Sequence, residues 1–318
     1  MLDELDRGLV HALQLDGRAP FARIAMVLGT SEHTVARRYR RLRSGGVVRV
    51  VGAVNGFRLG YASWTVRLRC TPDAAGAIAA ALARRSDTFW VHVLSGGTEI
   101  SCNLQAGTDA ERDGFLLEKL PGTRRVLGMS AHSMLRGFAG PTGWAGLATL
   151  SDEQMAALRV DVPEGDDEPV ALAAGDRELL GALASDGRLG FAELAAASGL
   201  SESTVRRRLE QLRGSGVLSY QVEIAPVELG YRAEARLWMS VRPSAVVSVA
   251  QALAGHAEVS FCAVTTGPSN LVAAVVCRDS RHLYRYLTEQ VGALDAIDRV
   301  EAAPLIRTVK RSGAVLPG

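Results

Sequence analysis

Arginine side chains are concentrated in two short stretches of the chain, residues 31–43 and 201–213. The first stretch holds five arginines and one acid, and the second holds four arginines and two acids, so they carry about +4 and about +2. The whole 318-residue chain has a formal net charge of only +2. A guanidinium group has a planar fork of donors that bonds guanine O6 and N7 together or holds a phosphate. This chemistry predicts nucleic-acid binding, and the competing interpretation is an ordinary solvated helix face.

The two arginine-rich stretches are equivalent parts of an internal repeat. Residues 2–61 and 172–231 align without a gap at a constant offset of 170, and 26 of the 60 aligned positions are identical. A repeat of this kind shows which residues the module needs, because each copy is an independent example of it. The chain therefore has two near-equal halves and resembles a dimer fused into one polypeptide.

Each copy of the repeat has the pattern of three short helices. In the first copy, apolar residues at helical spacing precede a turn signal at residues 16–18 and a second short stripe. Ser31 stands where a helix N-cap belongs, and Val35, Tyr39 and Leu42 form the expected buried stripe of the third helix. A β-branched run follows at residues 47–51, and at 217–222 in the second copy, and predicts a strand leading out of each module.

Three short helices with a glycine-containing turn before the third describe a helix-turn-helix, whose last helix lies in the DNA major groove. The coincidence of this pattern with the arginines favours double-stranded DNA as the partner. We expect the contacts at polar positions near the start and along the exposed face of each third helix. These are Ser31, His33, Thr34, Arg37, Arg38 and Arg41 in the first copy, and Ser201, Ser203, Thr204, Arg206, Arg207 and Arg208 in the second.

The two third helices differ on their exposed side. The differing pairs are His33/Ser203, Ala36/Arg206, Arg40/Glu210 and Arg41/Gln211. These differences predict unequal half-sites, about one helical turn of DNA apart or a multiple of it, with the first copy holding the backbone more strongly. A variant of this hypothesis has only one helix-turn-helix in contact with DNA.

A segment of about 80 residues follows each helix-turn-helix. In the second half the pattern gives a strand at 235–241, a helix at 246–253, two strands at 259–265 and 271–276, a helix at 283–291 and a last strand at 297–309. The corresponding elements of the first half are expected at 66–70, 77–82, 89–94, 100–104, 115–120 and 126–135. The order β-α-β-β-α-β predicts a ferredoxin-like antiparallel sheet with both helices on one face.

This arrangement resembles the Lrp/AsnC family of feast/famine transcriptional regulators over nearly the whole chain. The resemblance is carried by the third-helix sequences SEHTVARRYRRLRSGGVV and SESTVRRRLEQLRGSGVL, the hairpins LSGGTEI and TTGPSNL, and LPGTRRV before the last strand of the first half. The junctions Leu59-Gly60-Tyr61 and Leu229-Gly230-Tyr231 also match the family pattern. Each fragment is short, but their order and spacing occur twice.

The resemblance implies that the sheet domains drive homo-oligomer formation and bind a small effector, commonly an amino acid, near a Gly-x-x-acid hairpin. Carried over, the effector residues are Gly96, Thr98 and Glu99 in the first half and Gly267, Ser269 and Asn270 in the second. The acid position of the hairpin holds Glu99 in the first half but the uncharged Asn270 in the second. A carboxylate holds an ammonium group by a charge-assisted hydrogen bond, which an amide replaces only weakly. The alternative is that these glycines only serve the hairpin turns.

The expected fold class is α+β, with two winged helix-turn-helix modules alternating with two ferredoxin-like AsnC-type sheet domains. The expected boundaries are a helix-turn-helix at 1–50, a linker strand at 51–61, a sheet domain at 62–140, an acidic and proline-containing linker at 141–171, a second helix-turn-helix at 172–220, a linker strand at 221–231 and a second sheet domain at 232–312. Fusion of the halves leaves either a monomer or a larger assembly through the sheet domains as the oligomeric state.

Several classes of function lack their sequence signals. Cys70, Cys102, Cys262 and Cys277 have no C-x-x-C spacing, which favours buried thiols over disulfides or zinc ligands. We expect no metal and no cofactor. The acidic start and the lack of a long apolar run predict a cytoplasmic bacterial protein without a signal peptide or membrane span.

We also expect that the chain is not an enzyme, since no phosphate loop, nucleophile elbow or paired carboxylates are present. The alternative is an enzyme that resembles the sirohaem decarboxylases, tandem proteins of the same architecture. His132 and Arg136 are the nearest candidates for residues that would bind porphyrin carboxylates in that case.

Overall fold

The computed structural model describes residues 2–119, 125–140, 144–159 and 168–312. The chain divides into two compact units, and it passes through each of them twice. Unit 1 comprises Met1–Gly60 and Leu147–Leu229, and unit 2 comprises Tyr61–Gly146 and Gly230–Gly318. The two copies of the repeat thus share unit 1, and the two sheet domains share unit 2.

Unit 1 contains two sets of three helices, each followed by a strand. The first set is α1 (Glu4–Leu15), α2 (Phe21–Val27) and α3 (Glu32–Ser44), followed by β1 (Val48–Val54). The second set is α7 (Asp176–Ser185), α8 (Phe191–Ser198) and α9 (Glu202–Gly214), followed by β6 (Leu218–Ile224). These are the two helix-turn-helix modules that the repeat predicts.

The third helix of each set begins at the expected serine. Ser31 Oγ accepts a hydrogen bond from Thr34 N at 3.2 Å, and Ser201 Oγ accepts one from Thr204 N at 3.2 Å. These bonds satisfy backbone donors that have no partner inside a helix. The expected stripe is buried in both copies, and Tyr39 belongs to the core of the first. Burial raises the pKa of the Tyr39 phenol, which therefore stays neutral.

The strands after the two modules pair with one another. β1 and β6 form an antiparallel two-stranded sheet in which Val48 lies opposite Ile224 and Val54 opposite Leu218. The sequence predicted both strands, although a little shorter, but not their pairing. This pairing joins the two helix-turn-helix modules within unit 1.

Part of the segment predicted as a linker is structured. Residues 141–143 and 160–167 lie outside the described part of the chain, but α6 (Asp152–Ala156) lies between them. Gln154 Nε2 donates to Val27 O at 2.8 Å, and Leu158 just beyond is fully buried. The described part of this segment therefore packs against the first helix-turn-helix.

The described residues of unit 2 form two runs of β-α-β-β-α-β. The first run is β2 (Ala62–Cys70), α4 (Pro72–Ala83), β3 (Thr88–Leu94), β4 (Glu99–Ala106), α5 (Asp109–Asp113) continued by a π-helical turn at Gly114–Lys119, and β5 (Val126–Ala139). The second run is β7 (Ala233–Val241), α10 (Val246–Ala254), β8 (Val259–Thr265), β9 (Leu271–Cys277), α11 (Ser280–Arg285) continued by a π-helical turn at Tyr286–Val291, and β10 (Ile297–Lys310). Leu120, expected on the second helix of the first run, lies outside the described residues, as do residues 121–124 of LPGTRRV.

Each run has the strand order of a ferredoxin-like sheet. The orders are β3-β4-β2-β5 and β8-β9-β7-β10, and the neighbouring strands are antiparallel. The face of each sheet that its helices cover holds a separate core, one around Val66, Leu68 and Ile100 and one around Leu237, Met239 and Leu271. The predicted α+β class, with two helix-turn-helix modules and two sheet domains, is confirmed.

The long last strand of each run also pairs with the other sheet. The end of β5 pairs with β8, and the end of β10 pairs with β3, which closes the eight strands into a barrel. These strands were expected to end at residues 135 and 309, but they extend to Ala139 and Lys310. The pairing of their ends with the other sheet was not predicted. Its consequence is an interior between the two sheets, which is lined by the side chains that point away from the helices.

Candidate nucleic-acid interface and effector hairpins

The exposed face of each third helix carries an arginine at the same position of the repeat. Arg37 on α3 and Arg207 on α9 are both exposed, and neither has an acidic partner among the described residues. They stand near the start of their helices, the part of a recognition helix that reaches base edges in known helix-turn-helix proteins. Both guanidinium groups are free to bond an external acceptor.

Three of the predicted DNA-binding arginines are instead occupied within the protein. Arg38 Nη1 donates to Asp3 at 2.6 Å and to Asp6 at 2.8 Å, and Arg41 Nη2 donates to Asp6 at 2.5 Å. In the second copy, Arg208 bonds the fully buried carboxylate of Asp176 through Nε at 2.9 Å and Nη2 at 2.5 Å. These ion pairs fix α3 to α1 and α9 to α7.

The acids that hold these arginines were not singled out from the sequence. Asp6 and Asp176 are equivalent positions of the repeat, and both are buried. The signal available in the sequence was an aspartate at the same position of both copies. The structure shows it to be buried, and a buried charge needs a partner of opposite charge.

The remaining predicted DNA-binding residues fall into two groups. Ser31, Thr34, Ser201 and Thr204 are joined in pairs by the N-cap bonds, and the hydroxyl groups within each pair lie 2.9 Å apart. Their first role is thus to start the helix. His33, Ser203 and Arg206 are exposed, although Arg206 also stacks on the ring of Phe191 at 3.7 Å from the ring centroid.

The turn Asp16-Gly17-Arg18 and its repeat Asp186-Gly187-Arg188 join the two modules. Arg18 donates to the carbonyl oxygens of Gly187 and Leu189 at 2.8 and 3.0 Å. Arg188 donates to those of Gly17 and Ala19 at 2.6 and 3.1 Å. We call this pair of reciprocal contacts the arginine latch. The sequence identified these residues only as a turn.

Glycine is required at the centre of the second turn by a close approach of backbone. A Cβ atom on Gly187 would lie 2.9 Å from the carbonyl carbon of Val51, and Gly187 N donates to Val50 O at 2.8 Å. The latch therefore brings the turn of one module directly onto the strand that follows the other.

The effector hairpin of the first half lies at the start of β4, and its acid is already paired. Glu99 is buried and bonds Arg67, which also bonds Glu301 and stacks on Trp238 at 4.1 Å from the ring centroid. The Arg67 hydrogen bond lowers the pKa of Glu301. Nearby, Arg67 and Glu301 line a cleft of about 470 Å³ together with Arg69, Gly128, Met129 and Ser130.

The other two hairpin residues of the first half take part in the turn. Gly96 has a φ of 68°, and Thr98 Oγ1 donates to Ser95 O at 2.8 Å. An incoming ammonium group would have to compete with Arg67 for the Glu99 carboxylate.

The effector hairpin of the second half is occupied by backbone contacts. Asn270 Oδ1 accepts from Val241 N at 2.9 Å, and Asn270 Nδ2 donates to Val241 O at 2.8 Å. Ser269 O accepts from Thr265 Oγ1 at 2.9 Å. Gly267 has a φ of 98°, and a Cβ atom there would lie 2.2 Å from His132 Nδ1. These contacts give this hairpin a structural role.

The remaining sequence expectations concern thiols, metals and membranes. All four cysteines are free and buried, and burial raises the pKa of Cys102 and Cys262 to about 12. Within the described ranges, no cluster of three or more His, Cys, Asp or Glu side chains is arranged to hold a metal ion. No helix in the same ranges is long and apolar enough to cross a bilayer.

Comparison with known proteins gives two matching families of domain. An AsnC-type helix-turn-helix domain matches residues 2–43 and 174–213, and the Lrp/AsnC ligand binding domain matches residues 234–315. The uncharacterized HTH-type transcriptional regulator PH0140 of Pyrococcus horikoshii is 30% identical over 139 residues, which cover 43% of this chain and 87% of that protein. The chain belongs to the Lrp/AsnC family. LrpA of the same organism, a transcriptional regulator, is 28% identical over 136 residues, 42% of this chain and 96% of LrpA.

A solved structure matches this Lrp/AsnC family member over both halves. Siroheme decarboxylase NirDL has a TM-score of 0.64, with 17% sequence identity, over 99% of this chain and 95% of its own. A second structure of NirDL, in co-complex with an iron-uroporphyrin III analogue, has a TM-score of 0.63. At this identity the match shows a shared fold.

This match corrects the expectation that the chain is not an enzyme. That expectation rested on missing catalytic motifs of other enzyme classes. The same full-length architecture carries a decarboxylase in NirDL, so the lack of those motifs does not exclude catalysis. Both residues noted for this alternative lie on β5: His132 lies next to Gly267, and the exposed Arg136 lies over the ring of Phe138 at 5.1 Å from its centroid.

Proposed function

We propose that this chain is a sequence-specific transcriptional regulator that binds duplex DNA through both α3 and α9. The observation that carries the proposal is the pair of equivalent exposed arginines, Arg37 and Arg207, on two helix-turn-helix modules of one unit. Arg37 and Arg207 read base edges or hold phosphates in two half-sites. Arg38, Arg41 and Arg208 act as positioning residues, because their charges are taken up by acids of the protein.

The two half-sites are unequal in this proposal. Arg40 is exposed on α3, whereas Glu210 stands at the same position of α9. An acid facing phosphates is repelled, and an arginine is attracted, so α3 makes the stronger backbone contact. The operator is therefore an imperfect rather than a perfect palindrome.

The sheet domains supply the other part of the proposal. We propose that both are of the Lrp/AsnC ligand-binding type, with domain boundaries as the sequence predicts, and that they join chains into a homo-oligomer in the cytoplasm. A small effector, such as an amino acid, binds in the first half, where the cleft lies beside the Glu99 hairpin. The second half has no acid at its hairpin, so it is structural.

DNA retardation of the full-length chain tests the proposal. Duplexes from its own promoter region are titrated with wild type, Arg37→Ala, Arg207→Ala and the double variant, each at several salt concentrations. Arg177→Ala is the matched control, because Arg177 is an exposed arginine on α7 of the same unit. A lost phosphate contact lowers the salt slope by about 0.9, and a lost base contact weakens binding by about 1–3 kcal/mol. Binding by the double variant at the control's level contradicts the proposal.

A second function is favoured by one observation, the full-length fold match with siroheme decarboxylase NirDL. In this alternative the sheet domains act on a carboxylated tetrapyrrole and the helix-turn-helix modules only support the fold. The two functions are distinguished by adding an iron-uroporphyrin to the purified chain. A saturable change in the tetrapyrrole visible absorbance, with no salt-sensitive DNA retardation, supports the enzyme. DNA retardation with an unchanged absorbance spectrum supports the regulator.

A further inference from the structure

The interior of the barrel contains a second buried arginine, Arg236 on β7. Its neighbours Ala235 and Leu237 belong to the core beneath the helices, whereas Trp238 belongs to the cluster between the sheets. Side chains alternate along a strand, so Arg236 shares the interior face with Trp238. Arg236 is only 6% exposed.

No acidic side chain bonds Arg236 within the described part of the protein, although Glu234 lies two residues earlier on the same face of β7. No hydrogen bond or ion pair of its guanidinium group is found there, and its recorded contact is with the ring of Phe261 at 5.4 Å. Arg67 in the same interior is held by the two carboxylates of Glu99 and Glu301. Burial lowers the pKa of Arg236 to about 10. A buried cation without a partner is costly, so an external anion that reaches it is strongly stabilised.

A polar group from the other sheet lies near Arg236. His92 on β3 is buried, and its Nδ1 lies 3.0 Å from Thr308 Oγ1. Burial, together with the charges of Arg236 and Arg311, holds the pKa of His92 well below its usual value. The imidazole is thus neutral at pH 7.

An apolar cluster lies between the sheets on the same face as Arg236. The cluster between the sheets consists of Leu94, Met134, Trp238, Ala263, Val272 and Ala303, with Phe261 and Leu305 packed against it. The residues paired with Arg236 on the neighbouring strands are Ala274 and Ala303. Both of these neighbours have small side chains. An apolar ligand body with a single anionic end fits such surroundings.

We propose that the barrel interior binds a small organic carboxylate through Arg236, with an aromatic or aliphatic body against Trp238 and Phe261. The guanidinium fork bonds both oxygens of the carboxylate. This site is distinct from the Glu99 hairpin and uses no residue of the DNA interface. It therefore stands or fails independently of the proposed DNA binding.

Calorimetric titration of the full-length chain with benzoate tests the site. Benzoate supplies a carboxylate on an aromatic body, and benzamide supplies nearly the same shape without the charge. We expect benzoate to bind at least about tenfold more tightly than benzamide, and Arg236→Met to lose at least about tenfold in benzoate affinity. Arg307→Met is the matched control, because Arg307 is an exposed arginine on β10 of the same barrel and lies beside Gly76 of α4. Its benzoate affinity stays at the wild-type level.

Three results overturn the proposal: no benzoate binding, equal binding of benzamide, or unchanged benzoate affinity in Arg236→Met. Thermal unfolding without ligand gives a second measurement. Because no acid bonds Arg236 among the described residues, Arg236→Met should melt at or above the wild-type temperature, whereas a large fall would reveal an internal counter-ion. If Arg236→Met does not fold, Arg236→Lys keeps the charge but loses the fork, and its benzoate affinity should fall at least about threefold. Unchanged affinity in that variant also overturns the proposal.

Discussion

Replacing Arg188 with methionine tests the arginine latch between the two helix-turn-helix modules. Arg188 donates two hydrogen bonds, to Gly17 O at 2.6 Å and to Ala19 O at 3.1 Å. Its guanidinium group also lies over the rings of Phe21 and Tyr39, at 4.4 and 5.3 Å from their centroids. Methionine keeps much of the apolar stem but removes the donors and the charge.

The expected loss follows from these contacts. A hydrogen bond from a charged donor contributes about 1.5–3 kcal/mol, and a partly buried cation–π contact adds about 1 kcal/mol. Burial of the guanidinium group opposes these gains, and the same burial lowers the pKa of Arg188. We therefore expect Arg188→Met to lower the free energy of unfolding of unit 1 by about 2–4 kcal/mol.

Urea unfolding followed by circular dichroism measures this loss. Arg177→Met is the control, since the exposed Arg177 has no ion-pair partner in the described chain, and its effect should stay within about 0.5 kcal/mol. Arg18 makes the equivalent contacts from the other module, so the double variant Arg18→Met and Arg188→Met should lose less than the sum of the single losses. A loss below 0.5 kcal/mol for Arg188→Met would refute the latch. DNA affinity gives a second readout, because a looser latch should weaken binding to a two-half-site duplex more than to a single half-site.

Three further predictions concern the hairpin of the second half and a buried histidine. Gly267→Ala should destabilise unit 2 by about 2–3 kcal/mol, because the φ of Gly267 is 98° and the new Cβ would meet His132. Adding His132→Ala should recover part of this loss. Wild-type stability of Gly267→Ala would contradict the contact. Asn270→Ala should lower the free energy of unfolding in urea by about 1–3 kcal/mol. Asn270→Asp should lower it by a similar amount, because a carboxylate cannot donate to Val241 O. If Asn270→Asp leaves the stability unchanged, a ligand-binding role of Asn270 is supported instead. Burial lowers the pKa of His11, whose Nδ1 accepts two backbone hydrogen bonds, so its contribution to stability is complete above about pH 6.5 and falls as the pH drops below that value. His11→Gln should flatten this part of the curve of unfolding free energy against pH, and an identical curve would refute the assignment.

Local elements were predictable because their signals are local. A helix stripe such as Val35, Tyr39 and Leu42 repeats every three or four residues, and an N-cap such as Ser31 stands one position before its helix. Likewise, alternating apolar residues and the turn at Gly267 marked the strands of the second sheet domain. The effect of each of these features extends over a few residues only, so a single sequence records it.

Long-range pairings were not predictable in the same way. The exchange of the ends of β5 and β10 between sheets, and the pairing of β1 with β6, depend on residues more than 100 positions apart. Such contacts leave no periodic trace along the chain. The observed strand ends were correspondingly longer than the predicted ones, because hydrogen bonds to the second sheet extend them.

The sequence by itself determined the duplication, the two helix-turn-helix modules, the two sheet domains and the placement of arginines on α3 and α9. Only the tertiary structure decided which of those arginines are available. Arg37 and Arg207 remain exposed, whereas Arg38 and Arg208 are neutralised by acids 32 to 35 residues earlier. It also left Arg236 buried with no acid bonded to it among the described residues, although nothing in the strand sequence separates it from the paired Arg67. The physical reason is that the sequence specifies which side chains are charged, whereas the packed fold determines the counter-ion of each charge and its exposure to water.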